Sequence, residues 1–306
     1  MINKRKKILL TGATGFVGSH LLNALIRKKY KVVILKRSQS DTRRIDHLLD
    51  FTTSYNIDNH PLKEIFKKEQ IDVVIHTATN YGRDGQDENN IINTNIAFGV
   101  ELLENSRKFS ISLFINTDTF FNVEGVIASY MMAYTLSKKN FVEWLRYFSK
   151  FEIDVVNMKL HHVYGFGDGN DKFIPWLKDS IKKTSGSILL TKGVQLRDFI
   201  YIDDVVKAYL FIIDHNTSEI PTPYREYIVS TGVKTSVRDF CIELYGQIDN
   251  QFSIQSQLDF GAKETRDDEM MDVDNNSFKL KSIGWSSDNN IEQGIRKMLK
   301  KEELLT

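Results

Sequence analysis

The chain has 306 residues and a formal net charge of +1, with 41 basic and 40 acidic side chains. This balance argues against a general nucleic-acid-binding protein, which would carry a basic face or stripe. The length fits one large α/β domain with a smaller appended lobe. The single cysteine, Cys241, cannot by itself build a disulfide or a zinc site, and we expect no metal site.

The sequence carries no membrane signal. No apolar run is long enough to cross a bilayer. The basic cluster from Lys4 to Lys7 is not followed by the apolar segment of a signal peptide, because Gly12, Thr14 and Gly15 interrupt it. We therefore expect a cytoplasmic protein that binds neither membranes nor nucleic acid.

The segment from Ile8 to Gly18 is the most informative part of the chain. Three apolar residues predict a short buried strand, and a turn with Gly12, Gly15 and Gly18 follows it directly. An amphipathic pattern then predicts a helix, with apolar residues on one face at Val17, Leu21, Leu22, Leu25 and Ile26. A strand, a glycine turn and a helix in this order predict a dinucleotide-binding site, because the turn and the helix start can approach a pyrophosphate closely. The alternative is a strand-to-helix turn without a ligand.

The second predicted strand, Lys31 to Leu35, ends in Lys36-Arg37-Ser38. Folds that bind NAD usually carry an acidic residue near this point, which bonds to the adenosine ribose. A basic strand end would instead attract a 2′-phosphate, so we expect NADP(H) rather than NAD. The alternative is a solvated loop with ordinary surface cations.

Strands and helices continue to alternate up to residue 160. The predicted strands are Asp72–Thr77, Leu113–Thr117 and Asp154–Leu160, and the predicted helices are Asn89–Asn105 and Ala133–Phe148. This rhythm predicts a Rossmann-type, doubly wound parallel sheet with helices on both faces.

The pattern changes past Gly165. The later predicted elements are helices at Phe173–Ile181, Asp203–Ile213, Ser236–Leu244 and Ile291–Leu299, and a strand at Tyr227–Ser230. We expect the nucleotide-binding domain to comprise residues 1–165 and 198–232, and a smaller C-terminal α/β lobe for the substrate to comprise 166–197 and 233–306.

Tyr134 and Lys138 lie four residues apart, on one face of a predicted helix. A nearby cation favours the phenolate, so we expect a lowered pKa for Tyr134, which would exchange a proton with a substrate oxygen. Thr117, at the carboxyl end of the preceding strand, could donate a hydrogen bond to the same oxygen. Taken alone, a Tyr/Lys pair also arises by chance, and Thr117 could be an ordinary strand-end threonine.

Four motifs occur together in order along the chain: Thr11-Gly-Ala-Thr-Gly-Phe-Val-Gly18, the Tyr134 and Lys138 pair, His161-His-Val-Tyr-Gly165 and Arg197-Asp-Phe-Ile-Tyr-Ile-Asp-Asp204. With these motifs the sequence resembles the extended short-chain dehydrogenases/reductases, a group of nucleotide-sugar epimerases, dehydratases and reductases. With Gly284-Trp285 near the end, the resemblance covers nearly the whole chain.

The resemblance implies roles for particular residues. Tyr134 would be the catalytic acid/base, Lys138 would hold the nicotinamide ribose and tune Tyr134, and Thr117 would be the hydroxyl partner. Besides Tyr134 and Lys138, the cofactor would contact Gly12, Thr14, Gly15, Phe16, Val17, Gly18, Lys36, Arg37, Ser38, Thr77, Ala78, Thr79, Asn95, His161 and Val163. The nucleotide-sugar substrate would contact Thr117, Asp118, His162, Phe173, Leu190, Arg197 and Arg266. Arg197 would grip the diphosphate; the alternative is an ion pair with Asp198.

The sequence departs from the family pattern at several points. The 4,6-dehydratases carry Thr-Asp-Glu after the strand, whereas this chain has Thr117-Asp118-Thr119, and the loop from Asp118 to Ala133 is short. His162 stands where the family has asparagine, and Phe166 where it has proline. We therefore expect an NADPH-dependent reductase of the C4 keto group of a nucleotide-activated 4-keto-6-deoxy sugar, in deoxysugar biosynthesis for surface polysaccharide.

Two alternatives stay open. One is a nucleotide-sugar 4-epimerase or 4,6-dehydratase with tightly bound NAD, and the other is a non-catalytic NADP-binding regulatory protein. The resemblance also implies a homodimer that pairs the helices at Asn89–Asn105 and Ala133–Phe148. Phe98, Trp144 and Phe148 could belong to that interface or to the core.

Overall fold

The computed structural model of the chain describes residues 6–82, 87–123, 129–215, 224–252 and 254–303. Its contacts divide the chain into two compact units, Met1–Lys159 with Val206–Tyr227 and Leu160–Val205 with Ile228–Thr306. Among the described residues, no helix combines the length and the apolar character needed to span a bilayer.

The first unit is built on a seven-stranded parallel sheet with the strand order β11-β6-β5-β4-β1-β2-β3. Its strands are β1 (Lys7–Thr11), β2 (Lys31–Lys36), β3 (Thr53–Asn56), β4 (Val73–His76), β5 (Leu113–Thr119), β6 (Asp154–Leu160) and β11 (Tyr224–Val229). The central strand β1 pairs in parallel with both β2 and β4. The predicted fold class, a Rossmann-type doubly wound sheet, is confirmed.

Helices cover both faces of this sheet. They are α1 (Phe16–Arg27), α2 (Leu62–Glu69), α3 (Glu88–Ile92), α4 (Phe98–Lys108) and α5 (Met132–Phe148), joined by α7 (Ile202–His215), which begins in the second unit. A π-helical turn, Asn93–Ala97, connects α3 with α4. The central strands β1 and β4 are apolar and buried because helices pack on both faces of the sheet, as expected for a parallel sheet.

The second unit contains three two-stranded sheets and four helices among its described residues. The strands are β7 (His162–Tyr164), β8 (Gly186–Leu190), β9 (Leu196–Arg197), β10 (Phe199–Tyr201), β12 (Thr235–Ser236) and β13 (Ser256–Phe260). They pair as β7 with β10, β8 with β13 and β9 with β12. The helices are α6 (Phe173–Lys183), α8 (Val237–Asp249), α9 (Phe278–Ser282) and α10 (Ile291–Glu303).

The division of the chain differs in its boundaries from the expected one. Residues 160–165, 198–205 and 228–232 were expected with the nucleotide-binding domain, but the contacts group them with the second unit. For the first two stretches the reason is that β7 pairs with β10 in a small sheet of its own rather than with the seven-stranded sheet.

Candidate active site

The turn after β1 is shaped by its glycines. Gly12 has a left-handed φ of +67°, and a Cβ atom there would come within 2.6 Å of the amide nitrogen of Ala78. A Cβ on Gly18 would lie 2.0 Å from the carbonyl oxygen of Gly12. The turn is closed by the amide of Gly15, which donates to the carbonyl of Gly12 at 2.9 Å. These positions therefore have no room for a side chain.

The start of α1 follows this turn and is chemically suited to an anion. Gly15 precedes the helix and offers no side-chain cap, and no acidic residue lies in the first turn. The backbone amides of the first turn and the positive end of the helix dipole can therefore bind a phosphate group. The backbone around Gly12 and Gly18 fits the pyrophosphate of a dinucleotide.

The loop after β2 combines positive and negative groups. Arg37 and Ser38 are exposed, and Lys36 is half-buried. The backbone amide of Ser38 donates to a carboxylate oxygen of Asp58 at 2.7 Å, and the side-chain amide of Asn56 donates to the Ser38 hydroxyl at 2.8 Å. The bonds from Ser38, followed by the charge of Arg37, lower the pKa of Asp58. An acidic group thus reaches this loop from the end of β3, which the sequence pattern did not reveal.

Arg44 also reaches the glycine turn. A guanidinium nitrogen lies 3.5 Å from the carbonyl oxygen of Thr14. Arg44 follows β2 by eight residues, in a segment without apolar periodicity, so sequence reasoning missed it. Its position places a further fixed positive charge beside Thr14 of the glycine turn.

Lys138 is buried beside the end of β5. Its ammonium group donates to the backbone carbonyl of Thr117 at 2.9 Å, and only 4% of the residue is exposed. Burial lowers its pKa to about 8, while the charge of Asp118 acts in the opposite direction. The structure thus brings together the predicted residues Thr117 and Lys138.

Tyr134 is buried on the same helix, with 5% of its surface exposed. Its ring lies against that of Tyr81, with 4.9 Å between ring centroids, and its hydroxyl has a side-chain hydrogen bond with Thr119. Burial raises the pKa of Tyr134 well above its ordinary value, and Tyr81 adds to the effect. The expected lowering of this pKa is therefore wrong, because the loss of solvation on burial outweighs the effect of any nearby cation. The phenol is held in its protonated form.

Asp118 is held entirely by the protein. One carboxylate oxygen accepts from the side-chain amides of Asn157 at 2.9 Å and Asn122 at 2.8 Å, and the other accepts from the amide of Thr119 at 2.8 Å. Burial raises its pKa, against the influence of these donors and of Lys138. The carboxylate fixes the chain as it leaves β5. Part of the loop that follows, residues 124–128, lies outside the described residues.

The turn after β4 carries further predicted cofactor residues. Thr77 donates to the carbonyl of Thr11 at 2.7 Å, and the amide of Ala78 donates to the Thr11 hydroxyl at 3.3 Å. Thr79 bonds to the side chain of Asn95 at 3.4 Å. The turn is therefore tied to the strand that carries the glycines.

Asn95 lies in the π-helical turn and is almost fully buried. Its amide donates to the carbonyl of Asn80 and to the hydroxyl of Ser137, both at 2.8 Å, and its oxygen accepts from the amide of Asn80 at 2.7 Å. Asn95 thus links the turn after β4 to the residue that precedes Lys138. An extra residue in a helical turn is often found at functional sites.

Two residues were missed by sequence reasoning because they lie within apolar patterns. His76 ends β4 and bonds to the Thr11 hydroxyl at 2.8 Å; burial, then the charge of Lys138, lower its pKa to about 3, so it is neutral. Tyr209 on α7 lies with its hydroxyl 2.7 Å from that of Thr117.

In the second unit, His161, His162 and Val163 lie at and before β7. The amide of His162 donates to the carbonyl of Asp198 at 3.0 Å. Burial, followed by the charge of Arg197, lowers the pKa of His162 well below its ordinary value, so its ring is neutral.

Arg197 is buried and does form an ion pair, but its carboxylate partner is Glu269. It also donates to the carbonyl of Met270 at 2.5 Å. Asp198, the partner considered from sequence, accepts from the amides of Thr231 at 2.9 Å and Gly232 at 2.8 Å. A diphosphate on Arg197 would therefore compete with Glu269.

The other predicted substrate residues of this unit differ in exposure. Phe173 is 42% exposed and packs against Trp176, with 5.9 Å between ring centroids. Leu190 is buried in β8, so its side chain serves packing in this conformation. Arg266 is exposed, and its carbonyl accepts from the amide of Glu269 at 3.2 Å.

The parallel sheet, the glycine turn and the Tyr134 and Lys138 helix define an enzyme of the extended short-chain dehydrogenase/reductase type. More particularly, the chain belongs to the NAD dependent epimerase/dehydratase family, whose family model matches residues 8–225.

Individual relatives and structures agree with this assignment. CDP-abequose synthase of Salmonella typhimurium is 36% identical over 300 residues, which span 97% of this chain and 98% of that protein. A putative UDP-glucose 4-epimerase of Methanocaldococcus jannaschii is 25% identical, over 95% of this chain and 97% of that protein. The structure of UDP-glucuronic acid 4-epimerase from Bacillus cereus, in complex with UDP-glucuronic acid and NAD, has a TM-score of 0.79 at 21% identity and covers 98% of this chain and 100% of that chain. The likeness to that structure concerns the fold.

Proposed function

We propose that the chain is an NADPH-dependent reductase of the C4 keto group of a nucleotide-activated 4-keto-6-deoxy sugar. The observation that carries the proposal is the buried, protonated phenol of Tyr134, on the helix that also places Lys138 against Thr117. The reduction of a ketone to an alcohol needs a proton donor, and a protonated phenol can fill this role. The relatives named CDP-abequose synthase, from Salmonella typhimurium and Salmonella muenchen, favour a CDP-linked deoxysugar among the nucleotides.

The departure from Thr-Asp-Glu supports reduction over dehydration. Thr119 stands where the dehydratases carry the second carboxylate, and its side chain bonds to Tyr134. Asp118 is held by Asn157 and Asn122. A buried carboxyl whose oxygens are occupied by protein donors is poorly placed to exchange protons with a substrate.

The residues divide the reaction between them. A nicotinamide cofactor held at the glycine turn of Gly12, Gly15 and Gly18 would supply the hydride for C4. Tyr134 gives its proton to the oxygen that becomes a hydroxyl, and the hydroxyl of Thr117 donates a hydrogen bond to the same oxygen. Lys138 holds a positive charge at the carbonyl of Thr117 and favours the phenolate that Tyr134 leaves behind. In the second unit, Arg197 would bind the diphosphate and His162, Phe173 and Arg266 would contact the substrate.

The reaction is tested by turnover. NADPH is incubated with CDP-, dTDP-, GDP- and UDP-linked 4-keto-6-deoxy sugars, and we expect loss of absorbance with the CDP-linked sugar. No loss with any of them would contradict the proposal. Conversion of a sugar without net oxidation, by protein that purifies with NAD, would favour the epimerase or dehydratase alternative. Cofactor binding without any turnover would favour a regulatory protein.

The preference for NADPH rests on charge around the loop after β2. Arg37 and Arg44 can attract a 2′-phosphate, whereas the carboxylate of Asp58 would repel it. We expect Arg44→Ala to raise the KM for NADPH about tenfold and to change the KM for NADH little, because a charge-assisted bond contributes roughly 1.5 kcal/mol or more. Asp58→Asn should lower the KM for NADPH. Equal effects of Arg44→Ala on both cofactors in steady-state kinetics would contradict this assignment.

The buried Lys138 predicts a pH dependence. Its charge is lost as pH rises through about 8, so kcat/KM should fall above that pH. Between about 8 and the ordinary value of 10.5, the unfolded chain holds more protons at this lysine than the folded chain. The free energy of unfolding should therefore rise with pH in this window, relative to Lys138→Met. A pH–rate profile and denaturation curves of both proteins check the prediction, and profiles that are flat across the window would contradict it.

The proposed assembly is a homodimer through α5 and its neighbour helices. Phe148 is buried in the core and is not available for an interface, whereas Phe98 packs against that core and is only half-buried. Trp144, Leu136 and Tyr147 are exposed on α5. We expect light scattering to give twice the chain mass, and Leu136→Arg to give a monomer.

A further inference from the structure

Tyr209 is a buried tyrosine whose hydroxyl makes a contact that phenylalanine could not make. The residue is fully buried within α7, in the same unit as the catalytic groups. Its hydroxyl lies 2.7 Å from the hydroxyl of Thr117. Within the described parts of the chain, this is the side-chain hydrogen bond of both residues. A phenylalanine would fill the same space without it.

We propose that Tyr209 is a positioning residue for catalysis, which donates to the hydroxyl of Thr117 and thereby aims the proton of Thr117 at the substrate oxygen. The inference rests on the proposed function only in the role that it gives to Thr117. It concerns any transfer of hydride at a sugar carbon whose oxygen contacts Thr117.

The argument follows from counting protons. A threonine hydroxyl has one proton to donate and two lone pairs, and a phenol has one proton as well. When a substrate oxygen accepts the proton of Thr117, that proton is no longer available to Tyr209. The bond between the two hydroxyls is then kept only if Tyr209 is the donor. The order becomes Tyr209 to Thr117 to substrate oxygen.

This order also helps the reaction. A hydroxyl that accepts a hydrogen bond is a stronger donor, because the two bonds polarise each other in a low-dielectric interior. The bond also selects one rotamer of Thr117, whose β-branched side chain has few to choose from. Burial, with a contribution from the charge of Asp118, raises the pKa of Tyr209, so the phenol stays protonated and remains a donor.

The test is a double-mutant cycle with Tyr209→Phe and Thr117→Val. Tyr209→Phe removes one oxygen atom from the core, and we expect kcat to fall about tenfold with little change in KM, as for loss of a hydrogen bond that matters in the transition state. Thr117→Val should lower kcat further than Tyr209→Phe does. Because Tyr209 acts through Thr117, the double variant should be no slower than Thr117→Val alone.

Two further variants separate positioning from stability. Tyr227 is a buried tyrosine of β11 in the same unit, and Tyr227→Phe should leave kcat unchanged. Thr117→Ser keeps the hydroxyl, so it should remain sensitive to Tyr209→Phe. If Tyr209→Phe lowers the melting temperature but not kcat, or if the losses of the two single variants multiply in the double variant, the inference is overturned.

The outcome can be separated from that of the proposed function. The cycle is measured with whichever hydride transfer the wild type catalyses, reduction or epimerisation, so failure of the reductase assignment leaves it readable. If the wild type turns over no sugar, calorimetric titration of the NADP⁺ complex with CDP-glucose replaces kinetics. Non-additive losses of affinity for the two variants then support the inference, and additive losses or none overturn it.

Discussion

Tyr134→Phe should lower kcat by about a hundredfold, and at least tenfold, because a general acid usually contributes a factor of this size. The change removes only the phenolic oxygen, so the ring keeps its packing against Tyr81. Its pKa is raised by burial, and the wild-type phenol is therefore protonated before the reaction begins. Without that proton, the alkoxide at C4 would have only the hydrogen bond from Thr117.

The measurement is steady-state NADPH oxidation with the ketosugar that the wild type reduces. Tyr147→Phe is the matched control, because this tyrosine lies on the same helix but is 47% exposed. We expect Tyr147→Phe to keep the wild-type rate. Tyr134→Phe should still bind NADPH with normal affinity and unfold at a similar temperature. A rate near that of the wild type would show that another group delivers the proton.

The first half of the site could be predicted because it depends on local sequence. Strand β1, the glycine turn and α1 are contiguous, and their spacing determines which backbone atoms meet. The pair of Tyr134 and Lys138 is likewise set by one helix. Within one helix or strand, the spacing of residues alone determines which side chains share a face, independently of the rest of the chain.

The electrostatics of the site could not be predicted in the same way. The sequence suggested that a cation would lower the pKa of Tyr134, and burial reverses that direction. Burial depends on residues far away in the chain, such as Tyr81, which is 53 positions before Tyr134. The bond from Tyr209 to Thr117 joins residues 92 positions apart, and no periodic pattern in the sequence predicts it.

Weakly patterned elements account for the rest. β3 reads Thr-Ser-Tyr-Asn and has one buried residue, so it lacks the apolar run that marks the central strands. It nevertheless forms the sheet edge from which Asn56 and Asp58 reach Ser38. Similarly, the partner of Arg197 comes from the polar segment around Glu269, where composition predicts only strand and loop.

Gly18→Ala should weaken cofactor binding by about a hundredfold or more. With a side chain at this position, the cofactor phosphates can no longer approach the backbone amides of the turn and of the helix start. An added Cβ would lie 2.0 Å from the carbonyl oxygen and 2.7 Å from the carbonyl carbon of Gly12. Both are backbone atoms of the turn, so the clash cannot be relieved by the rotation of a side chain. The turn would have to open, and the melting temperature should fall as well.

Gly246→Ala is the matched control, because Gly246 also lies in a helix but a Cβ there meets no atom within 4 Å. A glycine in a helix costs roughly 0.5–1 kcal/mol relative to alanine, so this variant should be slightly more stable than the wild type. Fluorescence titration with NADPH and thermal denaturation compare the two. If Gly18→Ala binds NADPH as the wild type does, the turn does not approach the cofactor backbone to backbone, and the phosphates must be held elsewhere.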